Sequence, residues 1–206
     1  NKLQAIGDRT VLLGEVRGDL VDLTKEANSD LRDMALFNIG DDNRYNNPTD
    51  YYAIINNCNY FIANADTALK NNRNDYIFMK EYAAVKAIRA WTYLQLVLNY
   101  GSVPFVTEPI LSKLEAEQNY PKYDLQAVCE YFINDLMPLT DRWADEYPNY
   151  GNIRSLTDGA SRLLFFPMNV VLGDLNLWLA SVTGNKSTYR EAAMRYYKYI
   201  SQRNGD

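Results

Sequence analysis

The chain has 206 residues, 47% of them hydrophobic, and a net charge of −5, which allows one large domain or two small ones with a sizeable core. The complete lack of His excludes His-based catalysis and His metal ligation, and Lys and Arg scattered among acids exclude a nucleic-acid-binding stripe. Two cysteines without Cys-x-x-Cys spacing exclude the common zinc and redox motifs, and no apolar run is long enough to span a membrane.

Leu12, Val16, Leu20, Leu23 and Ala27 form one apolar stripe with charges between them, which predicts a long amphipathic helix over about residues 2–28. Residues 38–50 are polar and turn-forming. Asn47 can cap the next helix, with Pro48 in its first position and Asp50 in its first turn. That helix is expected to reach about Leu69, with Ile55, Ile62 and Leu69 on one side. A short turn at 71–75 leads to a third helix from about Tyr76 to Tyr100, so the two form an antiparallel hairpin over about 48–100. In the third helix Ala83, Ala87 and Ala90, extended by Leu94 and Val97, share one face. Small side chains there let another helix come close with little side-chain entropy to lose. Gly101 can take the left-handed conformation that closes a helix, and Pro104 prevents its resumption.

Residues 101–123, with Pro104, Pro109 and Pro121, read as an inserted loop in which 103–107 run extended. A fourth helix covers about 124–143, kinked or ended early by Pro138. Residues 144–166 read as a loop with Pro148, Gly151 and Gly159 and a short extended piece at 162–166. Pro167 opens a helix over about 167–183 through Val171, Leu175, Trp178 and Leu179, and Gly184-Asn185 ends it. Thr188-x-x-Glu191 reads as the capping box of a last helix over about 188–203, with Ala192, Tyr196 and Ile200 inward.

The periodicity therefore predicts a single all-α domain of helical hairpins that stack, with long inserted loops. The best tetratricopeptide-like stretch is Leu172-Gly173, Trp178, Tyr189, Ala192-Ala193 and Tyr196-Tyr197, but the insertion at 101–123 breaks any fixed period. Cys58 and Cys129 each lie in an apolar helix pattern, which suits a buried free thiol; in an oxidising compartment a disulfide stays open.

No motif carries bond-breaking chemistry. Asp41-Asp42-Asn43 lacks the Gly and Glu spacing of a calcium loop, and adjacent acids such as Asp145-Glu146 point apart rather than across one sugar. Serine-elbow, Walker and dinucleotide patterns are missing. No catalytic residue, metal or cofactor is expected. Sugar binding needs less: an aromatic ring for the apolar sugar face, and Asp, Asn or Arg for hydroxyls. The run Asp41-Asp42-Asn43-Arg44-Tyr45-Asn46 offers that mixture, although turn composition with one anchoring Tyr explains the same residues. Trp143, Tyr147 and Tyr150 form a second aromatic candidate.

The alanine-rich helix with Arg89-Ala90-Trp91-Thr92-Tyr93-Leu94-Gln95-Leu96, closed by Tyr100-Gly101-Ser102-Val103-Pro104, resembles the SusD/RagB family of Bacteroidetes outer-surface nutrient-binding lipoproteins. Leu12-Leu13-Gly14-Glu15-Val16-Arg17-Gly18-Asp19-Leu20, Ile54-Ile55-Asn56-Asn57-Cys58-Asn59, and Leu172-Gly173-Asp174-Leu175 followed by Tyr189-Arg190-Glu191-Ala192 are similar to further family helices, in the same order. The helix entry Arg162-Leu163-Leu164-Phe165-Phe166-Pro167-Met168 is bulkier than the family pattern.

The resemblance implies tetratricopeptide-like hairpins in an α-α superhelix, and a non-catalytic surface protein. Such a protein passes an oligosaccharide or other nutrient to a TonB-dependent outer-membrane transporter; some members take up peptides, and a scaffold for peptides or a partner protein is the alternative. It implies attachment to the outer membrane only through a lipid anchor upstream of this chain, which would be the N-terminal portion of a longer protein. It also places a glycan surface between the first two helices. That makes Tyr45 the stacking candidate, with Asp42, Asn43 and Arg44 as polar partners. A last hairpin lacking its next neighbour would expose apolar surface.

Overall fold

The structure, a computed structural model, describes residues 2–18, 21–143 and 166–203. It is mostly helical, 63% helix against 4% strand, so the all-α class holds. The chain divides into two compact units, Asn1–Ile54 and Ile55–Asp206.

In the first unit, helix α1 spans Lys2–Glu15 and α2 spans Ser29–Ala35. The single helix expected over 2–28 therefore stops at Glu15. Gly14 lies in the last turn of α1 and Gly18 just past its end, each costing about 1 kcal/mol of helix propensity. Local hydrogen bonds then capture the backbone: Asp22 Oδ1 accepts from the Leu23 N–H, and Asn28 Oδ1 accepts from the Leu31 N–H as the cap of α2. Leu23 still packs inward, but from a loop. With Leu12, Leu31, Ala35, Ile39 and Tyr45 it surrounds the buried side chains of Leu13, Val16 and Met34. Burying each of those three contributes about 1.5–3 kcal/mol. Arg9 of α1 pairs with Asp50 at 2.7 Å, an ion pair with little exposure at its carboxylate.

Helix α2 ends in a Schellman arrangement. The Asn38 N–H donates to the Asp33 carbonyl and the Phe37 N–H to the Met34 carbonyl. The residue that takes the left-handed position is Phe37, at φ 56°, where glycine is usual.

Helix α3, Thr49–Asn64, begins where expected, with Asn47 Oδ1 accepting from the Thr49 N–H. It ends before Leu69 because Asp66 Oδ1 accepts the N–H groups of Ala68 and Leu69 and bends the chain. Lys70 and Tyr76 then pair as an antiparallel bridge, and the expected turn lies between them, with Asn71 Oδ1 accepting from Arg73 and Asp75. Helix α4 starts at Met79, three residues later than expected, and runs to Tyr100. The connection within the expected 48–100 hairpin is thus residues 65–78, longer than the turn from which that hairpin was argued.

In the second unit, Ala83, Ala87 and Ala90 are buried, as are Tyr93, Leu94, Leu96 and Val97. Helix α4 packs on α6 (Leu125–Leu136) and α8 (Met168–Thr183). Gly101 takes φ 70° and its N–H returns to the Val97 carbonyl, closing α4. In the segment 101–123, strand β1 (Val103–Pro104) pairs antiparallel with β2 (Lys122–Tyr123). Between them lies a short helix that periodicity does not announce, α5 (Lys113–Ala116), set by a Ser112–Glu115 capping box. Phe105 leaves β1 to stack on Tyr123, with ring centroids 4.1 Å apart, and contacts Tyr93, Tyr131 and Phe132.

Helix α6 is capped by Asp124 and ends at Leu136; a 3-10 turn, Met137–Leu139, carries Pro138 into α7, Thr140–Trp143. Pro138 ends the helix early, because proline cannot donate to the preceding turn. Helix α8 begins one residue after Pro167 and closes on Gly184 in the left-handed conformation. The last helix, α9, spans Lys186–Arg203, two residues earlier than the Thr188 box suggests. Asn185 does the capping, its Oδ1 accepting from the Ser187 N–H. Ala192, Arg195 and Tyr196 face α8, whereas Ile200, expected inside, is 57% exposed. Helices α8 and α9 form an antiparallel hairpin in which the Tyr196 ring lies against Gly173. Most of the expected extended piece at 162–166 lies outside the described residues; its last residue, Phe166, packs its ring on Trp91.

Candidate functional site

The segment between α2 and α3 is a chain of tight turns. The Asn43 N–H donates to the Gly40 carbonyl, and the Asn46 N–H to the Asn43 carbonyl. Asn43 is buried and braces the segment: its Nδ2 donates to the Asp30 carbonyl at 2.9 Å and its Oδ1 accepts from the Tyr45 N–H at 3.0 Å. A Cβ on Gly40 would lie 2.8 Å from Asp42 Oδ1, the end of an exposed side chain that can turn aside.

The four candidate residues divide by role. Asp42 and Arg44 are exposed, Tyr45 is half-buried, and Asn43 faces inward. Arg44 donates from Nε to the Asp30 carboxylate, and that hydrogen bond and charge push its guanidinium above its ordinary value. The same guanidinium lies 6.0 Å from the centroid of the Tyr45 ring. Tyr45 in turn packs on the Leu13–Val16–Met34 cluster. The turn thus offers one carboxylate edge, one oriented guanidinium and part of a fixed ring. These groups can hydrogen-bond and stack; they cannot supply a nucleophile with a base. Of the second aromatic candidate, Tyr147 and Tyr150 lie outside the described residues, as does the Trp143 side chain.

Beside this turn lies a shallow groove of about 480 Å³. Val16, Leu23, Ala35 and Leu36 form its apolar wall, with Lys25 and Arg32 at its edge. Phe37, next in sequence to Leu36 of that wall, is 71% exposed. A left-handed non-glycine residue costs about 1–2 kcal/mol, partly offset in any glycine variant by unfolded-state entropy. Phe37→Gly is therefore expected to raise stability by about 0.5–1 kcal/mol in urea unfolding. A net loss would show that the ring is anchored.

Sequence reasoning missed the most elaborate polar arrangement, which is structural. Arg89 donates from Nη1 to Asn59 Oδ1 and the Thr107 carbonyl, and from Nη2 to Asp135 Oδ2. Lys86 reaches Asp135 Oδ1 at 2.6 Å. Asn59 donates to the carbonyls of Val106 and Glu108, while Asn56 both donates to and accepts from the Ile110 backbone. Tyr93 Oη pairs with both the carbonyl and the N–H of Val106. These side chains fasten residues 105–110 to α3 and α4. A signal was present: Arg89, Thr92, Tyr93 and Leu96 share one helical face, so an arginine headed a buried stripe.

Cys58 and Cys129 are free and buried, and burial pushes both thiols up to about 12. At neutral pH they stay protonated and are poor nucleophiles. Among the described residues no group of three acids or cysteines is placed to hold a metal ion. No helix among them is long and apolar enough to cross a membrane. In comparisons with protein-family models, curated proteins and solved structures, nothing matches this chain.

Proposed function

We propose that the chain is a non-catalytic nutrient-binding protein that captures an oligosaccharide at the outer-membrane surface for a TonB-dependent transporter. The reading follows the resemblance to SusD/RagB lipoproteins, including a lipid anchor outside this chain. On it the helices stack as tetratricopeptide-like hairpins, for which α8–α9 is the clearest unit, and the intervening segments meet the ligand.

One observation carries it: the turn at 40–46 presents Asp42, Arg44 and the Tyr45 ring from a backbone already braced by buried Asn43. A braced turn loses little entropy on binding, and a ring beside planar polar groups suits the faces and edges of a sugar. Titration calorimetry of the purified chain against an oligosaccharide panel tests this. Binding of at least one glycan is expected, with Tyr45→Ala weakening it about tenfold, equivalent to about 1.4 kcal/mol. Absence of heat across the panel rejects the function; unchanged affinity in Tyr45→Ala rejects the site. Release of cleaved product would replace binding with hydrolysis.

A further inference from the structure

The outer side of the α8–α9 hairpin carries an apolar surface bordered by positive charge. On α8, Asp174, Leu177 and Trp178 share one helical face. On α9, Tyr189, Tyr196 and Ile200 share another, with Tyr197 beside them. The Tyr196 hydroxyl donates to Asp174 Oδ1 at 2.6 Å, so these two faces meet and lie on the same side of the hairpin. Leu177, Trp178, Tyr189, Tyr197 and Ile200 are all exposed there, Tyr197 at 70%.

The charge on this hairpin is one-sided. Lys186 lies three residues before Tyr189, and Arg190 lies three before Ala193 and seven before Tyr197, hence on the same side of α9. Neither has a carboxylate partner among the described residues, and neither does Lys198. The two local acids are already engaged: Glu191 pairs with buried Arg195, and Asp174 accepts from Tyr196. Among the described residues, a chain of net charge −5 thus places cations without carboxylate partners beside exposed Tyr and Trp side chains. Tyr, Trp and Arg are the side chains that dominate protein–protein hot spots.

We propose that this face docks an amphipathic helix of a partner protein, apolar on the contacting side and acidic on its flanks. The apolar side covers Trp178, Tyr197 and Ile200, and the acids meet Lys186 and Arg190. A second copy of this chain is disfavoured because a two-fold contact would set the same cations against each other. Tyr hydroxyls at the surface suit a wet protein interface better than the acyl region of a bilayer. The inference uses a different face and a different ligand class from the oligosaccharide reading.

Fluorescence anisotropy with a labelled synthetic helix tests it. The probe carries leucines at three- and four-residue spacing and glutamates elsewhere; a control replaces the glutamates with lysines. The glutamate peptide is expected to bind in the micromolar range, on the order of 10–100 μM, and the lysine peptide at least about tenfold more weakly. Tyr197→Ser with Ile200→Ser should weaken binding about tenfold. Lys186→Glu with Arg190→Glu should do the same and flatten the salt dependence. All four substitutions are at exposed positions, so unchanged thermal melts identify losses that belong to the surface. No binding, or equal binding of both peptides, overturns the proposal. So does a dimer in sedimentation that Tyr197→Ser dissolves, or capture by anionic phosphatidylserine vesicles that the glutamate peptide fails to displace.

Discussion

Asp135→Ala is expected to cost about 3–5 kcal/mol, because it leaves two cations without their shared carboxylate. Arg89 is 3% exposed and Lys86 12%, and both reach Asp135, at 3.2 and 2.6 Å. An exposed ion pair would be worth about 0–1 kcal/mol; low water access makes the stranded charges the larger effect. Asp135→Asn keeps the shape and one acceptor, so its loss should be intermediate. Urea unfolding gives the comparison, with the midpoint falling and the slope unchanged. The effect should also spread to the insertion. Arg89 orients Asn59, and Asn59 holds the carbonyls of Val106 and Glu108. Amide exchange at Val106 and Ile110 should therefore speed up in Asp135→Ala. A loss under about 1 kcal/mol would mean that water screens this cluster after all.

Gly173→Ala should destabilise by about 1–3 kcal/mol, against the usual gain from replacing a helical glycine with alanine. The added Cβ would lie 2.5 Å from Cε1 of the Tyr196 ring and 2.7 Å from its Cζ. The ring cannot swing aside freely, because its hydroxyl donates to Asp174 at 2.6 Å. Burial lifts the Asp174 carboxyl above its ordinary range despite that bond, and it raises the Tyr196 hydroxyl as well. Removing the obstacle should reverse the sign. In a Tyr196→Ala background, Gly173→Ala should be neutral or gain about 0.5–1 kcal/mol. Thermal unfolding of the four proteins closes the cycle. A stabilised Gly173→Ala single variant would show that the ring yields at little cost.

Helix ends marked by backbone chemistry were legible. Asn47, Gly101, Asp124, Pro138 and Gly184 each act through one residue's own dihedral or hydrogen-bonding limits, and each sits at its expected boundary. Boundaries set by competition were not. The stripe through Leu23 and Ala27 fits a helix as well as a folded-back loop, and the choice fell to Asp22 and Asn28. Asp66 and Asn185 likewise captured backbone N–H groups ahead of the residues that periodicity favoured. At the candidate site, composition marked residues 41–46 as polar turns. It did not separate Asn43, which faces inward, from Asp42, which faces water, because alternating turn residues carry no period.

By itself the sequence determined the helical class, the alanine face of α4 and the absence of histidine chemistry, since each depends on side-chain size, spacing or identity along one segment. Only the tertiary structure decided that Arg89 would join Asp135 and Asn59, that Phe37 would hold a glycine's conformation, and that the α8 and α9 outer faces would meet through Tyr196 and Asp174. Those outcomes depend on partners distant in the chain, or on competition among neighbouring backbone groups. Such energies differ by only a few kcal/mol, so no local pattern can rank them.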